Sequence, residues 1–378
     1  MSIYDEVLSF INDPRAALFE PLALAVFRYQ FENVPVYRQF CIARGVSPQT
    51  VNSLSEIPAA STVAFKYADV RGPAEAVSPA ALTFTTSGTT KGFTERGRHH
   101  VPRPEIYRAS ALAHLRRMLF PDGRRLAMLA LHPTADRMPE SSLSTMVTWC
   151  IEEFGTGAMV CAATRASVDT AAAIQFLDDA QARREAVCIL GTTAASATLF
   201  EAVARRGRTI RLAAGSRLMD TGGAKGQAIP LTAVELVERA NQILGIDPAL
   251  AINEYGMTEM CSQLYDATPF NSRLDPNPVH ALNLDCFRVK LAPPWLRPTA
   301  LDPVTLHPLG DGRVGLLAFF DLANVGSISA LMTEDFGMVR GEAVAILGRS
   351  AAGGARGCAL SIDEFAGREV IARSWRPQ

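Results

Sequence analysis

Residues 125–131 (RLAMLAL), 157–162 (GAMVCA), 186–193 (AVCILGTT) and 209–215 (TIRLAAG) are short apolar runs set among longer mixed stretches. Two of those stretches, TAAAIQFLDDAQARRE (170–185) and TAVELVERANQILG (232–245), repeat apolar residues at three- and four-residue intervals. That is the period of a helix with one buried face. Apolar runs of this length alternating with such helices predict buried strands. The alternation therefore predicts an α/β sheet with parallel segments.

Outward from this stretch the texture changes. Residues 1–60 read as helices broken by prolines: YDEVLSFIND (4–13), PLALAVFRYQFENV (21–34) and VYRQFCIARG (36–45). In the last third, DGRVGLLAFFDLA (311–323) and FGMVRGEAVAILGR (336–349) read as strands joined by turns, with no helix between them. A smaller β-rich subdomain is expected there. No internal repeat or low-complexity linker interrupts the chain.

Bulk composition excludes several function classes. The 37 basic and 38 acidic residues leave a net charge of −1, no electrostatic footprint for nucleic acid or an anionic membrane. The basic cluster Arg116, Arg117, Arg124 and Arg125 is read as a solvated face. Seven scattered cysteines without a CxxC do not form a disulfide framework. The first residues, MSIYDEVLSFINDP, lack the apolar core of a signal peptide. No apolar run reaches the ~18 residues that a membrane span needs. A cytoplasmic location is the expectation.

Ligands in α/β sheets sit on loops after the carboxyl ends of strands. Three hydroxyl- or glycine-rich segments follow or adjoin predicted strands: TTSGTTKG (85–92), DTGGAKG (220–226) and NEYGMTE (253–259). Hydroxyls and glycines without bulk let O–H and N–H groups close around an anion. The first segment is not the commonest phosphate loop, because Gly88 and Gly92 are too close together and Lys91 precedes the second glycine. In the third, Thr258 offers a hydroxyl to a phosphate, Glu259 a carboxylate that suits Mg²⁺ beside phosphate, and Tyr255 a flat face for a base. A capped helix start is the alternative reading of the same residues.

Taken together, these segments resemble the adenylate-forming superfamily of acyl-CoA synthetases, peptide-synthetase adenylation domains and luciferases. TTSGTTKG is similar to its phosphate loop, and NEYGMTE to its NxYGxTE motif. TEDFG (333–337) is similar to the motif whose aspartate holds the ribose hydroxyls, here Asp335. LGRS (347–350) is similar to the one whose arginine also reaches the ribose, here Arg349. DTGGAKG supplies the glycines expected beside adenine, Gly222 and Gly223. A narrower resemblance rests on IPAASTVAFK (57–66), DTGGAKG, NEYGMTEMCSQLYD (253–266), FFDLAN (319–324), LMTEDFG (331–337) and LGRS…ARGC. These look like the acyl-protein synthetase of the bacterial luminescence fatty-acid reductase complex, the LuxE-like family. More distantly they are similar to phenylacetate-CoA ligases and to a truncated phenazine-pathway adenylase.

The resemblance implies the following expectations. The fold is the α/β domain of an adenylate-forming enzyme. It comprises an adenylating domain over 1–347, with a helical N-terminal region over 1–60, stacked α/β subdomains over about 80–280 and a β-rich subdomain over about 281–347. A vestigial C-terminal segment follows over 348–378. The superfamily's C-terminal domain, with its catalytic lysine, is expected to be truncated, because the 29 residues after Arg349 contain no lysine. The activity implied is ATP-dependent activation of a carboxylic acid as acyl-AMP, then transfer to a cysteine of the enzyme and on to a partner reductase or carrier protein. Alternatives are an aryl-acid adenylase or CoA ligase, and a nucleotide-binding scaffold without catalysis.

ATP phosphates would lie against Thr86, Ser87, Gly88, Thr89, Thr90 and Lys91. The base and ribose would lie against Gly222, Gly223, Glu254, Tyr255, Gly256, Asp335 and Arg349. Mg²⁺ would sit on Glu259 with Thr258 beside it, and Lys225 or Lys91 would add positive charge. His132, in LHPT after a predicted strand, would orient the substrate carboxylate or the nucleophile; closing the strand with a satisfied hydrogen bond is its other reading. Cys358, in ARGCALS, is the candidate acyl carrier, near Arg356, which favours a thiolate. A fatty or aromatic acid would be lined by Met146, Trp149 and Met257, with Cys261 as pocket lining. Oligomeric state is not fixed by sequence, and a homodimer stays open.

Overall fold

A computed structural model describes residues 1–86, 96–222, 232–271 and 288–349. The chain forms two compact units, one of Met1–Tyr107 with the chain from Pro294, the other Arg108–Pro293. The first begins with helices α1 (Ile3–Asn12), α2 (Ala16–Asn33) and α3 (Pro35–Ala43). Ser2 and Asp5 form a capping box that starts α1. Pro35 starts α3, where the missing N–H costs nothing. Contrary to the expected break, Pro21 lies inside α2. The single hydrogen bond it removes is outweighed by burial of Phe19, Leu22, Ala23 and Val26 around it.

Two short pairings follow. Strand β1 (Ala60–Ser61) lies parallel to a later strand of the same unit, and β2 (Leu82–Thr85) pairs with β3 (Arg98–Val101) as an antiparallel hairpin. Expected phosphate-loop residues Ser87–Lys91 fall between β2 and β3, outside the described residues.

The second unit is the predicted α/β alternation. After α4 (Pro104–Met118), whose last turns lie in it, come β4 (Leu126–Leu131), α5 (Ser142–Phe154), β5 (Gly155–Cys161), α6 (Thr170–Arg183), β6 (Val187–Thr192), α7 (Thr193–Arg205), β7 (Arg217–Thr221), α8 (Ala233–Leu244), β8 (Ala251–Tyr255), β9 (Leu264–Asp266) and β10 (Val289–Leu291). The strand order is β5-β4-β6-β7-β8-β9-β10. Pairings from β5 to β8 are parallel, and β9 and β10 add on antiparallel. Ile189 and Leu218 of the sheet bury against Leu199, Phe200, Leu236 and Leu244 of the helices.

Two sequence expectations fail here. TIRLAAG (209–215) is not a strand; it runs beside the end of α8, where Ile210 and Leu212 donate N–H bonds to the carbonyls of Ile243 and Leu244. The strand is the next segment, Arg217–Thr221. GAMVCA lies in a strand, but β5 is the sheet edge and its residues 156–159 are exposed rather than buried.

The chain then returns to the first unit with β11 (Leu296–Leu301), β12 (Val314–Asp321), β13 (Ala330–Arg340) and β14 (Ala343–Arg349), an antiparallel meander whose one helical piece is a single 3-10 turn at Leu322–Asn324. Gln30 of α2 ties the N-terminal helices to this meander. Its buried amide donates to the carbonyls of Asn324 and Val325, and its oxygen accepts from the N–H of Ser329.

Candidate active site

All three hydroxyl- or glycine-rich segments begin at a strand end, as expected. In the second unit, β7 and β8 are parallel neighbours with Thr221 opposite Glu254. Asp220–Gly222 and NEYG thus leave the same carboxyl edge of the sheet side by side. Gly222 follows β7 with φ +81°, a conformation that favours glycine. Thr221 Oγ1 donates to Glu254 Oε2 and joins the two strand ends. The Glu254 side chain is buried, and burial raises its pKa to about 7 despite the Thr221 bond and Lys290. Gly256 leaves room for this carboxylate: a Cβ there would sit 2.3 Å from Glu254 Oε1, which would have to move to admit it. Residues after Tyr255 form a turn, not a capped helix, before β9. Thr258 is half-buried in that turn and Glu259 is buried.

His132 follows β4, and Nε2 shares a 3.1 Å hydrogen bond with Ser144 Oγ near the start of α5. Burial pushes its pKa down to about 4, so the ring is neutral. Cys161 Sγ lies 3.6 Å from the His132 carbonyl oxygen. Met146, expected in a pocket wall, is buried with its sulfur 3.6 Å from the Tyr265 hydroxyl, and Trp149 carries the Arg108 guanidinium over its ring. Cys261 is buried. Of the basic cluster, Arg116 pairs with Glu153, and Arg124 and Arg125 donate to the carbonyls of Ala214 and Gly155.

In the first unit, Asp335 and Arg349 face each other across β13 and β14, with Arg349 Nε 3.6 Å from Asp335 Oδ1. Arg349 also pairs with Glu334 at 3.3 Å. Thr333 Oγ1, also in β13, accepts from the Asp335 N–H. At the loop end of the β2–β3 hairpin, Thr86 and Gly97 exchange hydrogen bonds. The Thr86 N–H donates to the Gly97 carbonyl, and the Gly97 N–H donates to Thr86 Oγ1 at 3.0 Å. Gly88, Thr89, Thr90, Gly223, Lys225 and Cys358 lie outside the described residues.

The family model of acyl-protein synthetase, LuxE, matches residues 3–366. The chain belongs to the LuxE acyl-protein synthetase family. Among curated LuxE-like relatives, the long-chain-fatty-acid–luciferin-component ligase of Aliivibrio fischeri is 37% identical over 87 residues, 21% of this chain and 23% of that protein. That of Vibrio harveyi is 40% identical over 79 residues, 19% and 21% of the two chains. The chain thus spans under a quarter of the length of the curated relatives it matches. Its fold is that of 2-hydroxyisobutyryl-CoA ligase, solved with 2-HIB-AMP and CoA. The TM-score is 0.62 at 16% identity, covering 90% of this chain and 77% of that one.

The motifs contain Asp220, Asn253 and Asp266 but did not disclose their bonding to one another and to the buried Lys290, which lies outside them. Their one sequence signal is charge inside short apolar runs, as in VKL at 289–291. No helix among the described residues is long and apolar enough to cross a membrane.

Proposed function

We propose that the protein condenses a carboxylic acid with ATP to an acyl adenylate, then passes the acyl group to a thiol. The observation that carries this reading is the bonded pair Thr221–Glu254. It holds the DTGG and NEYGMTE segments at adjacent carboxyl ends of parallel strands, where α/β sheets bind ligands. Family membership and fold support it.

In the first step a carboxylate oxygen attacks the α-phosphorus, the bond to the β-phosphate oxygen breaks, and pyrophosphate leaves. Positioning and charge neutralisation carry most of such catalysis. The phosphates are assigned to Thr86–Lys91, and the ribose to Asp335 and Arg349. The adenine side is assigned to Gly222, Gly223, Glu254, Tyr255 and Gly256, and added positive charge to Lys225.

Mg²⁺ fits the donors present. No group of three or more His, Cys, Asp or Glu side chains among the described residues could hold a metal alone. Mg²⁺ usually takes one or two carboxylates and completes its shell from phosphates and water. Glu259 and Thr258 would hold it, and it would neutralise phosphate charge there. His132, neutral and held by Ser144, is assigned to orient the reacting carboxylate or thiol.

In the second step the Cys358 thiolate attacks the carbonyl carbon of the acyl adenylate, AMP leaves with the bonding electron pair, and a thioester remains for transfer to a partner protein. The names of the curated relatives favour a long-chain fatty acid as substrate. Intact-mass measurement with Mg²⁺-ATP and a panel of fatty and aromatic acids tests both steps. The expected result is a mass gain of one acyl group, removed by hydroxylamine and absent in Cys358→Ala, which still exchanges pyrophosphate into ATP. Acyl-AMP without an adduct moves the acceptor to another thiol, such as CoA or a partner. Neither exchange nor adduct with any acid overturns the reading in favour of a non-catalytic nucleotide binder.

A further inference from the structure

Among the described residues, the inner end of β8 lacks a strand on one side. Its antiparallel pairing with β9 covers only Glu254 and Tyr255. Over Ala251–Asn253, charged side chains take the place of a strand. Arg288 Nη2 donates to the Ala251 carbonyl at 2.7 Å, and Lys290 Nζ donates to the Asn253 carbonyl at 3.0 Å. The Asn253 N–H donates to Asp266 Oδ2 at 2.7 Å. The side chain of Asn253 is equally engaged: Oδ1 accepts from Lys290 at 2.7 Å, and Nδ2 donates to Asp220 Oδ2 at 2.9 Å. Asp266 balances both cations, at 2.9 Å from Lys290 and 3.0 Å from Arg288. The Thr193 hydroxyl lies 2.6 Å from Asp220 Oδ2 and 2.8 Å from the Gly222 carbonyl, which extends the same network to the end of β7.

Every polar atom of Asn253, the first residue of NEYGMTE, is therefore bonded within the unit. An ammonium has three N–H donors, and Lys290 spends them on Asn253 O, Asn253 Oδ1 and Asp266 Oδ1. It has none left for a phosphate, so it does not supply the superfamily's catalytic cation. We propose that Lys290 is a positioning residue for the nucleotide site: through Asn253 and Asp266 it fixes the end of β8, and with it the turn that carries Thr258 and Glu259. This inference rests on the adenylation reading above. Buried networks of this kind hold one geometry when every member is bonded, and are costly when one charge is removed.

The test is pyrophosphate exchange on the full chain with Mg²⁺-ATP and the preferred acid, beside the thermal midpoint, for wild type, Lys290→Met and Lys290→Met/Asp266→Asn. The double variant removes one charge of each sign and so keeps the charge balance of the network, while the amide oxygen at position 266 can still accept from Arg288. The single variant is expected to raise KM for ATP about tenfold or more, the equivalent of one lost well-placed bond, with KM for the acid unchanged. The double variant is expected to regain the thermal midpoint but keep the raised KM for ATP. If the single variant does not fold, a raised KM for ATP in the double variant alone supports the inference. An unchanged KM for ATP in the single variant overturns it. So does recovery of that KM in the double variant, which would reduce Lys290 to charge balance. A parallel rise in both KM values that follows the thermal midpoint also overturns it, as general loosening. Wild type without exchange would remove the adenylation reading itself.

Discussion

Gly256 shows how closely the site is set at the level of single atoms. A methyl group there would meet Glu254 Oε1 at 2.3 Å and Gln263 Cγ at 3.3 Å. The first contact is one that no real Cβ makes, and the carboxylate it would displace is bonded to Thr221. Gly256→Ala should therefore break the Thr221–Glu254 link rather than merely crowd a loop. The expected loss of stability is about 1–3 kcal/mol, as for other overpacked interiors, with KM for ATP rising more than KM for the acid. Thermal denaturation and pyrophosphate exchange would check both effects. A variant with wild-type KM for ATP would show that the Glu254 carboxyl does not shape the nucleotide side.

At the scale of elements, the β2–β3 hairpin is closed at its loop end by Thr86 and Gly97. Thr86→Val keeps the shape but removes the acceptor of the buried Gly97 N–H, at a cost of about 1 kcal/mol. A severalfold rise in KM for ATP with little change in thermal midpoint is expected if Thr86 sets the phosphate segment; an unchanged KM would take Thr86 out of that role. The strand ends themselves were legible, because an apolar run followed by hydroxyls and glycine has few other readings. Asp335 and Arg349 were legible as motif residues, and the tight β13–β14 connection places them opposite each other. Strand β7 was not legible. Its Arg217 and Asp220 are both buried, Arg217 against Asp122 at 2.8 Å and the rings of Phe120 and Phe270. Charges at both positions hid the apolar run, and the neighbouring TIRLAAG, which has the pattern of a strand, was read in its place. Lys290 was missed for the same reason: one lysine in a short run reads as solvent-facing, and only tertiary partners reveal it as buried.

At the scale of the whole molecule, these buried groups set an acid–base balance whose members have opposite signs. Burial lowers the pKa of His114 to about 3 and of His132 to about 4, from an ordinary 6.5. Each then binds fewer protons folded than unfolded. Their contribution is complete above pH 6.5 and is lost as pH falls toward those values. Burial raises Glu254 from 4.5 to about 7, and Asp220 from 3.8 to about 6. These acids hold protons when folded, so their contribution is complete below their ordinary values and is lost as pH rises through the folded ones. Arg71 holds Asp69, and the Thr305 N–H holds Asp302, below the usual carboxylate range, which keeps both outside the window where the others compete. Between pH 4.5 and 6 three histidines, with His100 included because burial lowers its pKa too, oppose two acids, and wild-type stability should rise only modestly with pH on their account. Single variants unmask the balance. Relative to wild type, His114→Gln, whose amide can still donate to the Leu291 carbonyl that His114 Nε2 meets at 3.1 Å, should lose stability as pH rises across that window. Glu254→Gln should become more stable over the same range. Each slope is at most about 1.4 kcal/mol per pH unit, the value of one proton. Denaturant unfolding at several pH values measures both, and slopes of the same sign in the two variants would refute the opposition.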